Sequence, residues 1–563
     1  MILGICDETH NSSVCLIDDG KIKFAASEER FSRKKHQGGF PKKAIEYLNN
    51  NFELKNVRLI SVGGTFQPLP YRIFLSLHRK NITPIASDVS MTSFFKDFIR
   101  WVFKSKIYTN NISKHFIVSF SKIIIRHRLP EVLKDKPIFF VDHHIAHAAS
   151  ACFFSGFKRC LCITADGEGD GYSLTVNLFN KGKIQKIHGE SSLNSLGLFF
   201  SYVTQFLGFR AFDHEGKIMG LASYGNCNNV DIPFPFNVEN GRIIPKFKMG
   251  MQCLLFLKKY LSNFRKEDIA AWLQHNLEET ILKLINFWME KTGERKLALS
   301  GGVFANVKLN KKIRELDTVK EVFVFPAMGD EGLSVGAAVY AYYKFKRKFK
   351  PLKIRNVFFG PKFSDYEVKN LLEKYRLKWK RIRSMREIAR LIVKGEIIPI
   401  FYGRMEFGPR ALGNRSVIMD PRRIDKKDIL NLKLKKRDWF MPFAPTIMKK
   451  YAKKYLKFDS KSLLSSKFMT MVYDCTKEGI SDLRAAIHVD KTCRPQILEK
   501  KDNPKFYEII KEFERLSGIG AVLNTSFNIH GEPIVCSPED AIKTFIRSKF
   551  KYMVIEDYLV RRW

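Results

Sequence analysis

Two stretches of the chain share one rhythm of apolar and polar positions. The first, MILGICDETHNSSVCLIDDGKIKFAASEE at the start of the chain, alternates short apolar runs with a polar loop and the pair Asp19-Gly20. The second, CLCITADGEGDGYSLTVNLFNKGKIQKIHGE from Cys160, does the same with Lys181-Gly182 at the later break. Short apolar runs punctuated in this way predict strand, loop, strand, tight turn, strand, once in each copy. In both copies the first run ends on an acid, Asp7 or Asp166.

A duplicated unit of this shape predicts the two halves of an actin- and hexokinase-like fold, whose hairpin loops grip nucleotide phosphates across a cleft. Two later segments fit that cleft. KLALSGGVFANVKLN sets Gly301-Gly302 between an apolar strand and a helix, and VFVFPAMGDEGLSVGAA repeats the arrangement with Gly329-Asp330-Glu331-Gly332. Glycine there lets the backbone approach a phosphate, and a helix N-terminus offers unpaired N–H donors.

The basic, Pro-containing stretch Lys344 to Asn356 ends this alternation and reads as a linker. The pattern therefore divides the chain into a first domain over 1–346, a linker over 347–357 and a second domain over 358–563. The second domain is expected to be α/β, with helices around Tyr366 to Tyr375 and Met385 to Lys394 and a strand at IIPIFYG. The region from Gln67 to Lys136 fits neither unit. Within it SFFKDFIRWVFKSK predicts an amphipathic helix with Phe94, Phe98, Trp101 and Val102 on one face and Lys96, Arg100 and Lys104 on another. Such a helix packs on a domain or lies on an anionic membrane surface.

Composition narrows the picture. A chain of 563 residues that is 45% hydrophobic buries large cores, which excludes a disordered protein. Ser191 to Phe209 carries no charge and has the length of a membrane span, but its serines, Asn194, Thr204 and Gln205 predict a buried soluble segment. No secretory pattern precedes the first strand, so a cytoplasmic location is expected. The ten cysteines show no CxxC pair, which suits reduced core thiols rather than zinc or a disulfide framework. The net charge of +40 suits either a lysine-rich solvated surface or polyanionic partners.

The candidate chemistry sits in loops and helix starts. In VDHHIAHAAS, His143 and His147 are four residues apart, so on a helix they face one side and can share a metal ion, with Asp330 as the candidate carboxylate. His144 faces elsewhere. His10, on the loop after the first strand, is placed to take a proton from an attacking alcohol. Lys35 and His36 add positive charge over the same cleft. GRMEFGPRALGNRSV interleaves Arg404, Arg410 and Arg415 with glycines, the chemistry of an anion pocket. Lys435, Arg437 and Arg494, with Asn524, Thr525, Ser526 and Asn528 of LNTSFN, supply further donors.

Taken in order, His10, EERFSRKKH, HHIAH, DGEGD, EGKIMGLASYG, SGGVFANVKLN, GDEG, EFGPRALGNRS, RDWFMPFAP, HVDKTCRPQ and LNTSFN resemble the O-carbamoyltransferases of nodulation-factor and antibiotic-tailoring pathways along nearly the whole chain. The resemblance implies an N-terminal domain like the threonylcarbamoyl-transfer protein of tRNA modification and a C-terminal domain with a YrdC-like nucleotide-activating fold. It implies carbamoyl phosphate, ATP with Mg2+, and a small-molecule hydroxyl acceptor as partners, with carbamoyl-AMP passing to a metal-bearing transfer site. His143, His147 and Asp330 then correspond to metal ligands, with Fe2+ the implied ion. Lys35, Asp166, Asp170, Gly301, Gly302 and Asn306 correspond to the nucleotide-binding set, and His10 to the transfer-site histidine. Arg410, Lys435, Arg494, Asn524 and Ser526 correspond to the activation site. Two positions depart from the family pattern: Asn11 stands where Asp is common, and Met441 where Arg is common. The alternatives are threonylcarbamoyl transfer to tRNA, which the net charge suits, and a nucleotide-binding relative that has lost turnover. Nucleic acid is not expected as a partner; peripheral membrane contact and homo-oligomerisation stay open.

Overall fold

A computed structural model describes residues 1–8, 10–65, 111–345 and 349–562. The amphipathic helix expected over 93–106 lies outside the described residues. The chain forms two compact units, one of Met1–Lys23 with His36–Lys353, the other of Phe24–Lys35 with Ile354–Trp563.

In the first unit, β1 (Ile2–Cys6), β2 (Ser13–Asp18), β3 (Lys21–Ser27), β4 (Leu59–Gly63) and β5 (Ile138–Val141) form a sheet in the order β3-β2-β1-β4-β5. A second sheet runs β12-β11-β6-β7-β8, from β6 (Arg159–Gly169), β7 (Tyr172–Asn180), β8 (Lys183–Ser191), β11 (Lys296–Ser300) and β12 (Glu321–Val324). Between them in sequence, β9 (Phe236–Glu239) and β10 (Arg242–Pro245) make a separate hairpin. In each large sheet the first strand pairs antiparallel with the next strand in sequence and parallel with a later one. The two sheets therefore have one topology, the duplication expected of an actin- and hexokinase-like fold. The expected hairpin turns form because both central residues take positive φ, 47° and 75° at Asp19-Gly20 and 45° and 88° at Lys181-Gly182. That geometry matches the twist of paired strands, and glycine in the second position adopts it without strain.

Two helices carry the rest of the site. His143–Phe154 starts where the Asp142 side chain accepts from the Ile145 amide at 3.0 Å, and it is buried along nearly its whole length. Leu333–Phe345 packs on it and on β1 without room for side chains: a Cβ at Gly336 would lie 1.8 Å from the Ala146 carbonyl oxygen, and one at Gly4 2.0 Å from that of Ser334. The uncharged stretch near residue 200 becomes the helix Leu196–Phe206, capped by Ser195 and largely buried. No helix among the described residues is long and apolar enough to cross a membrane. Phe349 of the basic stretch packs against Phe153, Phe179 and Tyr343 within this unit.

The second unit is α/β around an eight-stranded mixed sheet, β13-β22-β21-β14-β15-β20-β16-β19. Its strands are β13 (Lys378–Arg381), β14 (Ile398–Phe401), β15 (Arg415–Met419), β16 (Ala444–Met448), β19 (Gln496–Leu498), β20 (Ala521–Ser526), β21 (Tyr552–Ile555) and β22 (Tyr558–Arg561), while β17 (Tyr473–Asp474) and β18 (Thr492–Cys493) pair apart. The expected helices form at Asp365–Lys374, where Ser364 and Glu367 make a reciprocal capping box, and at Met385–Val393. Phe24–Lys35 belongs here by its contacts. The Arg30 guanidinium donates to the Gly408 carbonyl at 2.9 Å, and that of Arg33 donates to the carbonyls of Ile534 and Pro533 at 2.6 and 2.8 Å.

Candidate active site

In the first unit the loops that follow β1, β5 and β12 meet the end of β6. Parallel pairing puts the C-terminal ends of strands on one edge, the usual place for a ligand in such sheets. His143 and His147, one turn apart, face Asp330 with Nε2 of each 3.7 and 3.6 Å from its Oδ1. Asp166 joins them, its Oδ2 3.3 Å from Nε2 of His147. One ligand atom from each of the four residues lies within 4.8 Å of the others. His143 Nε2, His147 Nε2 and Asp330 Oδ1 are buried there without a hydrogen-bond partner. Buried polar atoms are normally satisfied, so three converging orphans of ligand type fit a divalent cation.

The electrostatics agree. Burial alone would push the His143 imidazole down, but the nearby carboxylates of Glu8, Asp330 and Asp166 lift it to about 10. His147 is raised against its own burial by the neighbouring carboxylates of Asp166 and Asp330. Burial likewise raises Asp166, yet His147 and His143 outweigh it and hold the carboxyl below the usual carboxylate range. Glu8 is raised mainly by burial. Excess carboxylate thus retains protons on the imidazoles that a metal ion would displace.

The neighbouring candidates separate into roles. His10 stands at the mouth, 37% exposed at its side chain, with Nδ1 3.4 Å from Asp330 Oδ2. His144 faces away, as expected, bonding Thr164 Oγ1 at 2.7 Å and the Tyr172 carbonyl at 3.1 Å. Asp170 accepts from the amides of Thr65 and His143, which fixes the start of the histidine helix. Asn306 caps the helix Val307–Glu315 and pairs with Gln274. Gly301 needs its φ of 105°, and a Cβ there would meet the Ala165 carbonyl oxygen at 2.2 Å. The Gly302 amide donates to Asp166 Oδ2 at 2.8 Å.

In the second unit, sheet order gathers a different set. Arg410 precedes β15, Arg437 precedes β16, Arg494 precedes β19, and Asn524 to Ser526 end β20. Because β20 is antiparallel to both β15 and β16, and β19 is parallel to β16, these termini share one edge. Burial, then the neighbouring charges of Arg410 and Arg437, depress Arg494. Arg437 falls to about 10 through burial and Arg410. Buried Lys435 is depressed by burial, Arg437 and Lys35, and donates to Ser526 and Asn528. Among the described residues no carboxylate contributes to the shift of any of these three cations. Lys35, grouped above with the nucleotide set of the first domain, is thus carried by Phe24–Lys35 to Lys435 in the second unit. Arg494 Nε and Asn524 Oδ1 are buried and unpartnered. Arg404 and Arg415 hold the loop instead: Arg404 donates to the carbonyls of Gly360 and Phe359, and Arg415 donates to those of Tyr402 and Gly403 and stacks on Phe401.

A cation-seeking cluster and an anion-seeking cluster in one chain coincide with two family matches. Residues 1–339 match the carbamoyltransferase N-terminus and residues 389–562 the carbamoyltransferase C-terminus. The chain belongs to the carbamoyltransferase family. The enzyme is 35% identical to an uncharacterized protein of Methanocaldococcus jannaschii over 100% of both chains. It is 30% identical to the nodulation protein NolNO of Sinorhizobium fredii over 98% of this chain and 79% of that one. It is also 26% identical to a 3'-hydroxymethylcephem-O-carbamoyltransferase of Amycolatopsis lactamdurans over 62% of this chain and 65% of that one.

Three features of this carbamoyltransferase escaped sequence reasoning. Glu8, two residues before His10, is buried with Oε1 3.7 Å from His143 Nδ1; the acidic run DE was its only signal. Asp166 joins the cluster of His143, His147 and Asp330. The third is the contact of His36 with Asp213, 2.9 Å, which spans 177 residues and leaves no local pattern.

Proposed function

We propose that the enzyme is an ATP-dependent O-carbamoyltransferase working in two stages. In the second unit, water cleaves the phosphorus–oxygen bond of carbamoyl phosphate to give carbamate and inorganic phosphate. A carbamate oxygen then attacks the α-phosphorus of ATP and expels pyrophosphate, leaving carbamoyl-AMP. Arg410, Arg437, Arg494 and Lys435 hold these anions and offset their repulsion. Asn524 turns its unpartnered Oδ1 toward a donor such as the carbamoyl NH2.

In the first unit an acceptor hydroxyl forms the new bond to the carbamoyl carbon. The bond from that carbon to the AMP phosphate oxygen breaks, AMP leaves with the electron pair, and His10 takes the hydroxyl proton. A divalent cation, Fe2+ by family resemblance, would be held by His143, His147, Asp166 and Asp330 and supplies positive charge for the leaving phosphate. Glu8 and Asp330 orient the imidazoles of His143 and His10.

The observation that carries this reading is the pair of clusters, one with orphaned atoms of metal-ligand type and one in which Lys435, Arg437 and Arg494 are depressed by burial and by neighbouring cations. The test follows AMP and pyrophosphate release from ATP with carbamoyl phosphate. Arg410→Ala is expected to abolish that release, whereas His10→Ala is expected to spare it and block transfer. Loss of adenylate formation in His10→Ala would refute the division of labour.

A further inference from the structure

The sheet edge that gathers the cations of the second unit also carries three uncharged side chains, Thr446 on β16, Gln496 on β19 and Asn524 on β20, each buried. Gln496 stands opposite Thr446 in the parallel register of the two strands. Its Nε2 donates to the Leu412 carbonyl at 3.0 Å, and its Oε1 accepts from the Thr446 hydroxyl at 2.8 Å. Asn524 Nδ2 donates in turn to Thr446 Oγ1 at 3.0 Å and to Gln496 Oε1 and the Ala411 carbonyl at 3.3 Å each.

Two main-chain carbonyls fix which way round both amides stand. A carbonyl oxygen only accepts, so the group that meets Leu412 has to be the Gln496 NH2, and the group that meets Ala411 the Asn524 NH2. Inverting Asn524 would set its oxygen against the Ala411 carbonyl, against Gln496 Oε1, and against a Thr446 hydroxyl whose proton is already given to Gln496. Asn524 Oδ1 is therefore the end left over, buried and without a partner. Side chains two apart on a strand share a face, and on that face Ser526 Oγ accepts from Lys435 at 2.9 Å. A buried acceptor left open on the cationic side of the sheet edge calls for a donor that the ligand brings.

We propose that Gln496 and Thr446 are positioning residues that lock the Asn524 amide with its carbonyl toward the donor substrate, and that this lock makes the second unit select a carbamoyl group over an acyl group of the same shape. This rests on the O-carbamoyltransferase reading above. An NH2 and a methyl group are close in size, so the walls of a pocket separate carbamoyl from acetyl poorly, and the phosphate cations attract both donors alike. The hydrogen bond separates them. A carbamoyl N–H donates to Oδ1, whereas a methyl group leaves that oxygen buried and unsatisfied, and a site built around a ligand N–H rejects the analogue that lacks it. An asparagine free to turn would lose the distinction, because its own NH2 would then face the N–H of the ligand.

The experiment uses phosphonoacetamide and acetonylphosphonate, two hydrolysis-resistant phosphonates that differ only in NH2 against CH3. Calorimetric titration of each into the full chain is expected to show wild type favouring the amide by about tenfold to a hundredfold. Thr446→Val and Gln496→Met keep side-chain size and remove the hydrogen bonds. Each is expected to narrow that preference by about threefold or more, and the two together to bring it near parity, with the affinity for acetonylphosphonate little changed. Thr446→Ser retains the hydroxyl and is expected to retain the preference. A purely structural role would weaken both ligands alike and leave their ratio as it was. Equal affinities in wild type, no binding of phosphonoacetamide, or an unchanged ratio in the double variant overturns the assignment; should the double variant fail to fold, the single variants decide by the same ratio. Pyrophosphate release from ATP and carbamoyl phosphate is followed on the same samples. Its absence from wild type ends the two-stage reading on its own, and the binding ratio still decides the lock.

Discussion

The two clusters are opposite in sign. In the first unit Glu8, Asp166 and Asp330 surround two imidazoles, and the surplus negative charge keeps protons on His143 and His147. In the second, burial first and then the charges of Arg410, Arg437 and Lys35 depress Lys435, Arg437 and Arg494. A chain selected only to fold would pair such groups or replace them with apolar ones, because breaking a buried charge balance is costly. Each unit instead keeps a residual charge that suits the ligand proposed for it, a cation in one and phosphates in the other.

The comparison breaks most sharply at the metal cluster. Asp330 faces both imidazoles, so Asp330→Asn should lower metal affinity by on the order of a hundredfold or more, beyond the 10–100-fold typical of outer-sphere partners. Elemental analysis after gel filtration checks it, and wild-type metal content in the variant would remove Asp330 from the ligand set. ATP cleavage by the second unit should persist.

Arg494→Gln tests the other side in two directions. Loss of one charged contact to phosphate should weaken ATP binding by about 1.5–3 kcal/mol, on the order of tenfold to a hundredfold. Without ligand the same change removes mutual repulsion, so melting should rise by roughly 2–4 °C, the shift that about 1 kcal/mol makes in a domain of this size. Calorimetry with and without ATP reads both. A fall in ligand-free melting temperature would show that the cluster is balanced by its own contacts.

Gly336→Ala probes how the metal cluster is held. The added methyl meets the Ala146 carbonyl between the histidine helix and the helix that follows Asp330, an overpacking that costs about 1–3 kcal/mol. Metal content should drop along with stability, since the two helices carry the ligands; destabilisation with full metal content would mean that the ligands tolerate the shift. The smallest effect belongs to Met441→Arg. Arg437 already reaches the Pro442 carbonyl at 3.1 Å and Thr525 Oγ1 at 3.4 Å beside this position. The restored guanidinium should therefore lower the KM for carbamoyl phosphate by about threefold or less, against the tenfold or more of an unfilled charged contact. A tenfold drop would show that Arg437 does not serve the donor.

Much of this was legible from residue order alone. The duplicated hairpins, the glycine turns, the histidine pair one helical turn apart and the helices at Asp365–Lys374 and Met385–Val393 follow from spacings that strand pleat and helix pitch impose on neighbours in sequence. The motif order likewise identified the family. Tertiary structure decided which partners these residues found. It turned Asp170 to the amides of Thr65 and His143, Asn306 to Gln274, and Asp166 toward His147. It carried Lys35 into the second unit and set Phe212 beside His10. Local geometry is fixed by bonds within a few residues, whereas a side-chain partner from another strand or helix is chosen by sheet register and helix packing, which no local spacing encodes.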